Sequence, residues 1–127
     1  MNHQIIIKYC DTQAGRKWKV AQSLYKERHY ADCLFYCHLT LELLLKSKVV
    51  QATKKQFPIT HNLSYLAEKS NLALGSGQKK NLREINTFNI AGRYDDYKKS
   101  FYNQATVSFT KKYYLITKEL ISWLKKH

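Results

Sequence analysis

Between Tyr30 and Val50, Leu34, Leu41, Leu45 and Val49 recur at helical spacing, while Phe35, Leu39, Leu43 and Leu44 fill most other directions. A helix that is apolar nearly all round is one that neighbours cover on most sides, so this stretch predicts a central helix. Before it, Asp11 or Thr12 can cap a first helix that runs to about Arg28 and buries Ala14, Trp18, Ala21, Leu24 and Tyr25. Ile5-Ile6-Ile7 ahead of that cap reads as a frayed turn or a stub against the body. His29-Tyr30 leaves only a tight connection, which makes the first two helices antiparallel neighbours.

Pro58 closes the central helix, because proline and the residue before it disfavour further helix. Thr60 or Asn62 then caps a short third helix with Leu63, Leu66 and Ala67 buried. Gly75-Ser76-Gly77 marks a break, and Ser76 caps a fourth segment carrying Leu82, Ile85 and Phe88. Asn89 to Tyr102 is the least regular part. The last helix is the clearest amphipath: Ala105, Phe109, Tyr113, Ile116, Leu120, Trp123 and Leu124 trace one face. The pattern predicts an all-α fold without internal repeats, one domain over residues 1–127.

Polar positions interrupt the central helix in an ordered way. His38, Glu42 and Lys46 stand four residues apart and form one slanting line within the apolar surface. One reading is a partly buried ladder in which Glu42 accepts from Lys46 on one side and His38 on the other. The other is the floor of a polar site, where ionisable groups with shifted pKa values collect. On a different side, Tyr36, Leu43 and Val50 are spaced by seven and form a second apolar seam, which needs a helix of the same chain or a twin subunit as cover.

Charge changes the picture most. The chain of 127 residues has 22 Lys and Arg against 9 Asp and Glu, a formal net charge of +13. So basic a surface attracts polyanions, whether nucleic acid, an acidic partner or an anionic membrane surface. With 44% hydrophobic residues, 1 Pro and 4 Gly, the composition is that of a folded helical chain and not a disordered tail. The lysine-rich surface has a plainer use as well, since lysines solvate helix faces.

Cys10, Cys33 and Cys37 form an odd set with no secretory pattern before them, so they read as reduced thiols in a cytoplasmic protein. Cys33 and Cys37 lie four residues apart within a helix, with three residues between them, and have no second pair, which does not suit zinc. No metal and no cofactor is expected. Asp32, Glu42, Lys46 and Lys48 break the longest apolar run, so no membrane span is expected. The chain has no glycine-rich phosphate loop, Gly-x-Ser-x-Gly elbow or His-Glu-x-x-His motif.

Two local sites carry candidate chemistry. His61 stands at the start of the third helix, where exposed N–H groups and the dipole favour an anion; the alternative is a histidine that packs at the cap. Arg93 lies near Asp95, Asp96, Tyr94, Tyr97 and Tyr102. Its planar donor fork suits phosphate or carboxylate, and the tyrosines suit stacking on a base. Equally, Arg93 can pair with Asp95 or Asp96 while the tyrosines wedge between helices.

Four elements, in order, resemble the HEPN family. They are the helix entered through His29-Tyr30-Ala31 and holding Glu42-Leu43-Leu44-Leu45-Lys46, the Thr60-His61-Asn62-Leu63 turn, the Ala91-Gly92-Arg93-Tyr94-Asp95 stretch, and the final helix ending in Trp123-Leu124. The resemblance implies an up-and-down bundle of four or five helices, commonly a homodimer. It implies nucleotide binding, often beside a small nucleotidyltransferase, or metal-independent RNA cleavage in toxin-like members. Glu42, Lys46, His61, Arg93, Tyr94 and Asp95 fall on positions that match the family's motifs.

The cleaving branch has an Arg followed after four to six residues by His. Here Lys98, Lys99 and Ser100 follow Arg93 at those places, and Arg16, Arg28 and Arg83 have no such His either. The expectation is therefore a non-catalytic or accessory module that binds a nucleotide or RNA phosphate. Lys46 and Arg93 contact phosphate, His61 assists, Tyr94 or Tyr97 stacks on the base, and His38, Glu42 and Asp95 support them. No catalytic residue is assigned; the alternative is a metal-independent endoribonuclease.

Overall fold

The computed structural model describes residues 2–90 and 93–127, and among them it contains six α-helices and no strand. They are α1 (His3–Lys26), α2 (Tyr30–Thr53), α3 (Leu63–Lys69), α4 (Ser76–Asn86), α5 (Asp95–Gln104) and α6 (Val107–Lys126). As the apolar pattern predicts, α2 is the hub and touches α1, α3, α4, α5 and α6. Leu34, Leu41, Leu45 and Val49 are buried along it, in one core with Leu63, Leu66, Leu82, Ile85, Leu120 and Leu124 of its neighbours.

The first helix is longer than expected. It starts at His3, where the Asn2 Oδ1 accepts from the N–H groups of Gln4 (3.0 Å) and Ile5 (3.3 Å). Asp11 and Thr12 are therefore inside α1, and the isoleucines continue its first turns with Ile5 exposed. The buried side of α1 is the expected one, with Ala14 and Ala21 buried and Trp18, Leu24 and Tyr25 half-buried. After Lys26 the chain reverses through Arg28, whose φ of 64° places it in the left-handed region.

The central helix ends at Thr53 through Lys54, also left-handed at φ 58°, so it stops ahead of Pro58. Asn62 caps α3, its Oδ1 accepting from the Tyr65 N–H at 3.1 Å. Gly75, and not Ser76, caps α4, and its N–H donates to the Gln78 side chain at 2.8 Å. The stretch read as irregular contains α5. Asp95 and Asp96 occupy its first turn, where carboxylates complement the helix dipole, and Phe101 is buried beneath it. Ala105 ends this helix and does not begin the next, because Thr106 caps α6.

The seam at Tyr36, Leu43 and Val50 needs no second subunit. Val50 is fully buried, Leu43 packs against the main core, and Tyr36 packs beside Ala21, Cys33 and Cys37 under α1, with the Lys17 ammonium 5.9 Å from its ring centroid. Beside it, Tyr114 of α6 stacks on Trp18 at 5.1 Å and on Tyr25 at 4.1 Å. Among the described residues no helix is long and apolar enough to cross a membrane.

Candidate functional site

The polar line of α2 is buried, with the Lys46–Glu42 pair as the ladder reading has it and a different histidine on the other side. Glu42, only 6% exposed at its side chain, accepts at Oε2 from the Lys46 ammonium at 2.9 Å. Its other oxygen, Oε1, is 2.9 Å from Nδ1 of His61, from the turn before α3. His38 Nδ1 lies 3.9 Å from that oxygen, too far for a hydrogen bond. The expected His38–Glu42 bond is thus replaced by a His61–Glu42 bond. The reason is competition for one oxygen: the Thr60–Asn62 turn brings His61 to it, and His38 instead secures that turn by bonding the His61 carbonyl at 3.0 Å.

These partners settle the tautomers. A carbonyl only accepts, so His38 carries its proton on Nε2, and its Nδ1 is left without a partner among the described residues. A carboxylate likewise only accepts, so His61 donates from Nδ1 and leaves Nε2 free on a side chain that is 68% exposed. The network is therefore a buried carboxylate held by lysine, with one histidine facing solvent and one locked inside. Lys46 is 11% exposed and its ammonium is 4.9 Å from the Phe57 ring centroid. Asn86, which the sequence reading passed over, accepts at Oδ1 from the Leu63 N–H at 3.0 Å and also faces His38. A lone Asn near a helix end carries no sequence signal for that role.

Burial pushes the His38 pKa below its ordinary value of 6.5, outweighing the Glu42 charge and the His61 carbonyl bond, which pull it up. In the unfolded chain His38 takes up its proton near the ordinary value; in the fold it does so only at lower pH. Its contribution is therefore present above about pH 6.5 and is lost as pH falls from there towards the folded pKa. Urea unfolding at pH 7.5 and at pH 5.5 should show the lower stability in acid, with an NMR titration of the His38 ring giving a pKa under 6.5. A ring that titrates above 6.5 contradicts this.

The Arg93 corner forms a second group. Arg93 donates from Nε to the Asn89 carbonyl at 3.3 Å, and its Cζ lies 4.9 Å from the Tyr97 ring centroid. Neither Asp95 nor Asp96 pairs with it, and among the described residues Arg93 has no carboxylate partner. The Tyr97 hydroxyl donates to the Thr87 carbonyl at 3.1 Å, which ties α5 to the end of α4. Tyr94 is 91% exposed, and Asp95 opens α5. Ala91 and Gly92, which begin this stretch, lie outside the described residues.

No hydrogen bond or ion pair joins the 93–97 corner to the Glu42 network among the described residues. Cys10, Cys33 and Cys37 are free and buried, and the Cys33 side chain and burial push the Cys37 thiol well up, away from nucleophilic use.

A sequence model of the HEPN domain matches residues 7–127, nearly the whole chain. No curated protein and no solved structure matches it.

Proposed function

The chain belongs to the HEPN domain family, and on that premise we propose that it is a non-catalytic or accessory module binding the phosphate of a nucleotide or RNA at the Arg93 corner. The observation that carries this reading is the state of Arg93. Its guanidinium is steadied over Tyr97 and by one carbonyl, yet no carboxylate neutralises it. The terminal nitrogens are left for a phosphate, to which arginine presents a planar fork. Tyr94 beside it offers an exposed ring on which a base can stack, and the net charge of +13 draws polyanions to the surface.

His61, with Nε2 free, is a secondary contact in this proposal. Lys46 enters it differently from the sequence-based expectation. Its ammonium is engaged by Glu42 at 2.9 Å and does not reach for phosphate. A homodimer beside a small nucleotidyltransferase accompanies this reading, as the family resemblance implies, through a face other than the Tyr36–Val50 seam.

Fluorescence anisotropy with short single-stranded RNA and with nucleotides tests the proposal. Arg93→Ala should weaken binding about tenfold or more, as loss of a charge-assisted contact does, and should lower the salt slope by about one. Absence of saturable binding at moderate salt, or equal affinity in Arg93→Ala, ends this reading. One observation favours endoribonuclease as a second reading: the Glu42-held His61 has the hydrogen-bonding pattern of a general base. RNA cleavage by the wild type that disappears in His61→Ala would establish it; equal trace activity in both would mark a contaminant.

A further inference from the structure

A cleft of about 260 Å³ opens between α1, α2 and α6, away from both groups described above. Gly15, Trp18 and Leu124 line its apolar part, and Lys48, Lys125 and Asp11 stand among its polar lining. Gly15 is its most informative residue. It sits in the interior of a 24-residue helix, where glycine is less favourable than alanine. Its backbone is ordinary helix, without positive φ, so no conformational need explains it. Helix packing does not explain it either, because a Cβ built there meets nothing within 4 Å. Gly15 is exposed at the edge of the cleft, and without a side chain it leaves that edge uncovered.

The rest of the lining points to a chemistry. Trp18 is braced by its stack on Tyr114 (5.1 Å, 21° between planes), so an aromatic wall stands ready before any ligand arrives. Lys48 and Lys125 have no carboxylate partner among the described residues, and Asp11 has no basic one. Two cations against one anion leave an excess of a single positive charge. The volume lies just below the range of drug-sized pockets, which suits one or two fused rings and is too small for a nucleotide.

We propose that this cleft binds a small planar aromatic monoanion, a one- or two-ring carboxylate, with the ring against Trp18 and the carboxylate between Lys48 and Lys125. Asp11 discriminates against dianions such as a phosphate monoester by repulsion. The site is independent of phosphate binding at Arg93.

The probe is 5-fluoroindole-2-carboxylate, followed by ¹⁹F NMR, with neutral 5-fluoroindole alongside. Saturable binding of the carboxylate in the submillimolar range, tighter than that of the neutral indole by about tenfold, is expected. Gly15→Leu should abolish it by filling the space, and its thermal unfolding by circular dichroism should show an intact helical fold, since leucine is the better helix former. Lys48→Gln with Lys125→Gln should bring the carboxylate down to the affinity of the neutral compound, and this double variant tests the site even if Gly15→Leu misfolds. Arg93→Ala should bind the probe as the wild type does. Absence of saturable binding, unchanged affinity in a folded Gly15→Leu, equal affinity for the two probes in the wild type, or loss in Arg93→Ala each overturns the proposal.

Discussion

Glu42→Ala should lower the unfolding free energy by about 3–5 kcal/mol, the loss seen when one partner of a buried ion pair is removed. The alanine takes away the acceptor of the Lys46 ammonium at 2.9 Å and of the His61 Nδ1–H at 2.9 Å. His61 can turn to water, because its ring is mostly outside. Lys46 cannot do so freely: it is nearly buried, and Phe57 lies over it. Most of the loss therefore comes from an ammonium left without its counter-charge in a poorly hydrated place.

That assignment can be separated from simple loss of packing. The double variant Glu42→Leu with Lys46→Leu removes both charges and fills the space with apolar groups, and such replacements are often neutral or stabilising. It should recover most of the stability that Glu42→Ala loses. Urea unfolding at neutral pH measures all three proteins, and a common m-value shows that stability has changed and not the compactness of either state. A loss under about 1 kcal/mol in Glu42→Ala would mean that Lys46 reaches solvent easily and that the network is not buried in practice.

Phe88→Ala should cost a similar amount, about 3–5 kcal/mol, by a different mechanism. Phe88 is fully buried, and its ring centroid lies 5.6 Å from Phe101, 5.7 Å from Phe109 and 5.3 Å from Tyr113. These rings come from α5 and α6, whereas Phe88 sits just past the end of α4. Truncation leaves a cavity where three elements meet and also removes edge-to-face contacts. The measurement is chemical denaturation, with near-UV circular dichroism reporting the loosened aromatic packing. Tyr94→Ala, at an exposed ring, is the control and should stay within about 0.5 kcal/mol of the wild type. A Phe88→Ala protein as stable as this control would show that α5 is not held through the aromatic cluster.

Much of this architecture was legible along the chain. The central helix, the buried faces of α3 and α4 and most of the last helix follow from spacing, because a helix repeats over a few residues and its buried side is written locally. Where helices begin is less legible, again for local reasons. Asn2 offered a cap ahead of the isoleucines, and the paired aspartates at 95 and 96 were read as loop chemistry, although they also mark the first turn of a helix. The family motifs pointed to Glu42, Lys46, His61 and Arg93, but not to what each touches.

By itself, then, the order of residues determined an all-helical chain built on a covered central rod, strongly basic, with a line of ionisable groups set into its apolar surface. Only the folded arrangement decided which groups met. Whether His38 or His61 reaches the Glu42 oxygen depends on how a turn far along the chain lies against α2. It also decided that Arg93 lies over Tyr97 with no carboxylate partner among the described residues and that Gly15 and Trp18 line one cleft. Periodicity acts over one or two turns of helix, whereas a hydrogen bond needs its partners within about 3 Å, and for residues distant in sequence only tertiary packing brings them that near.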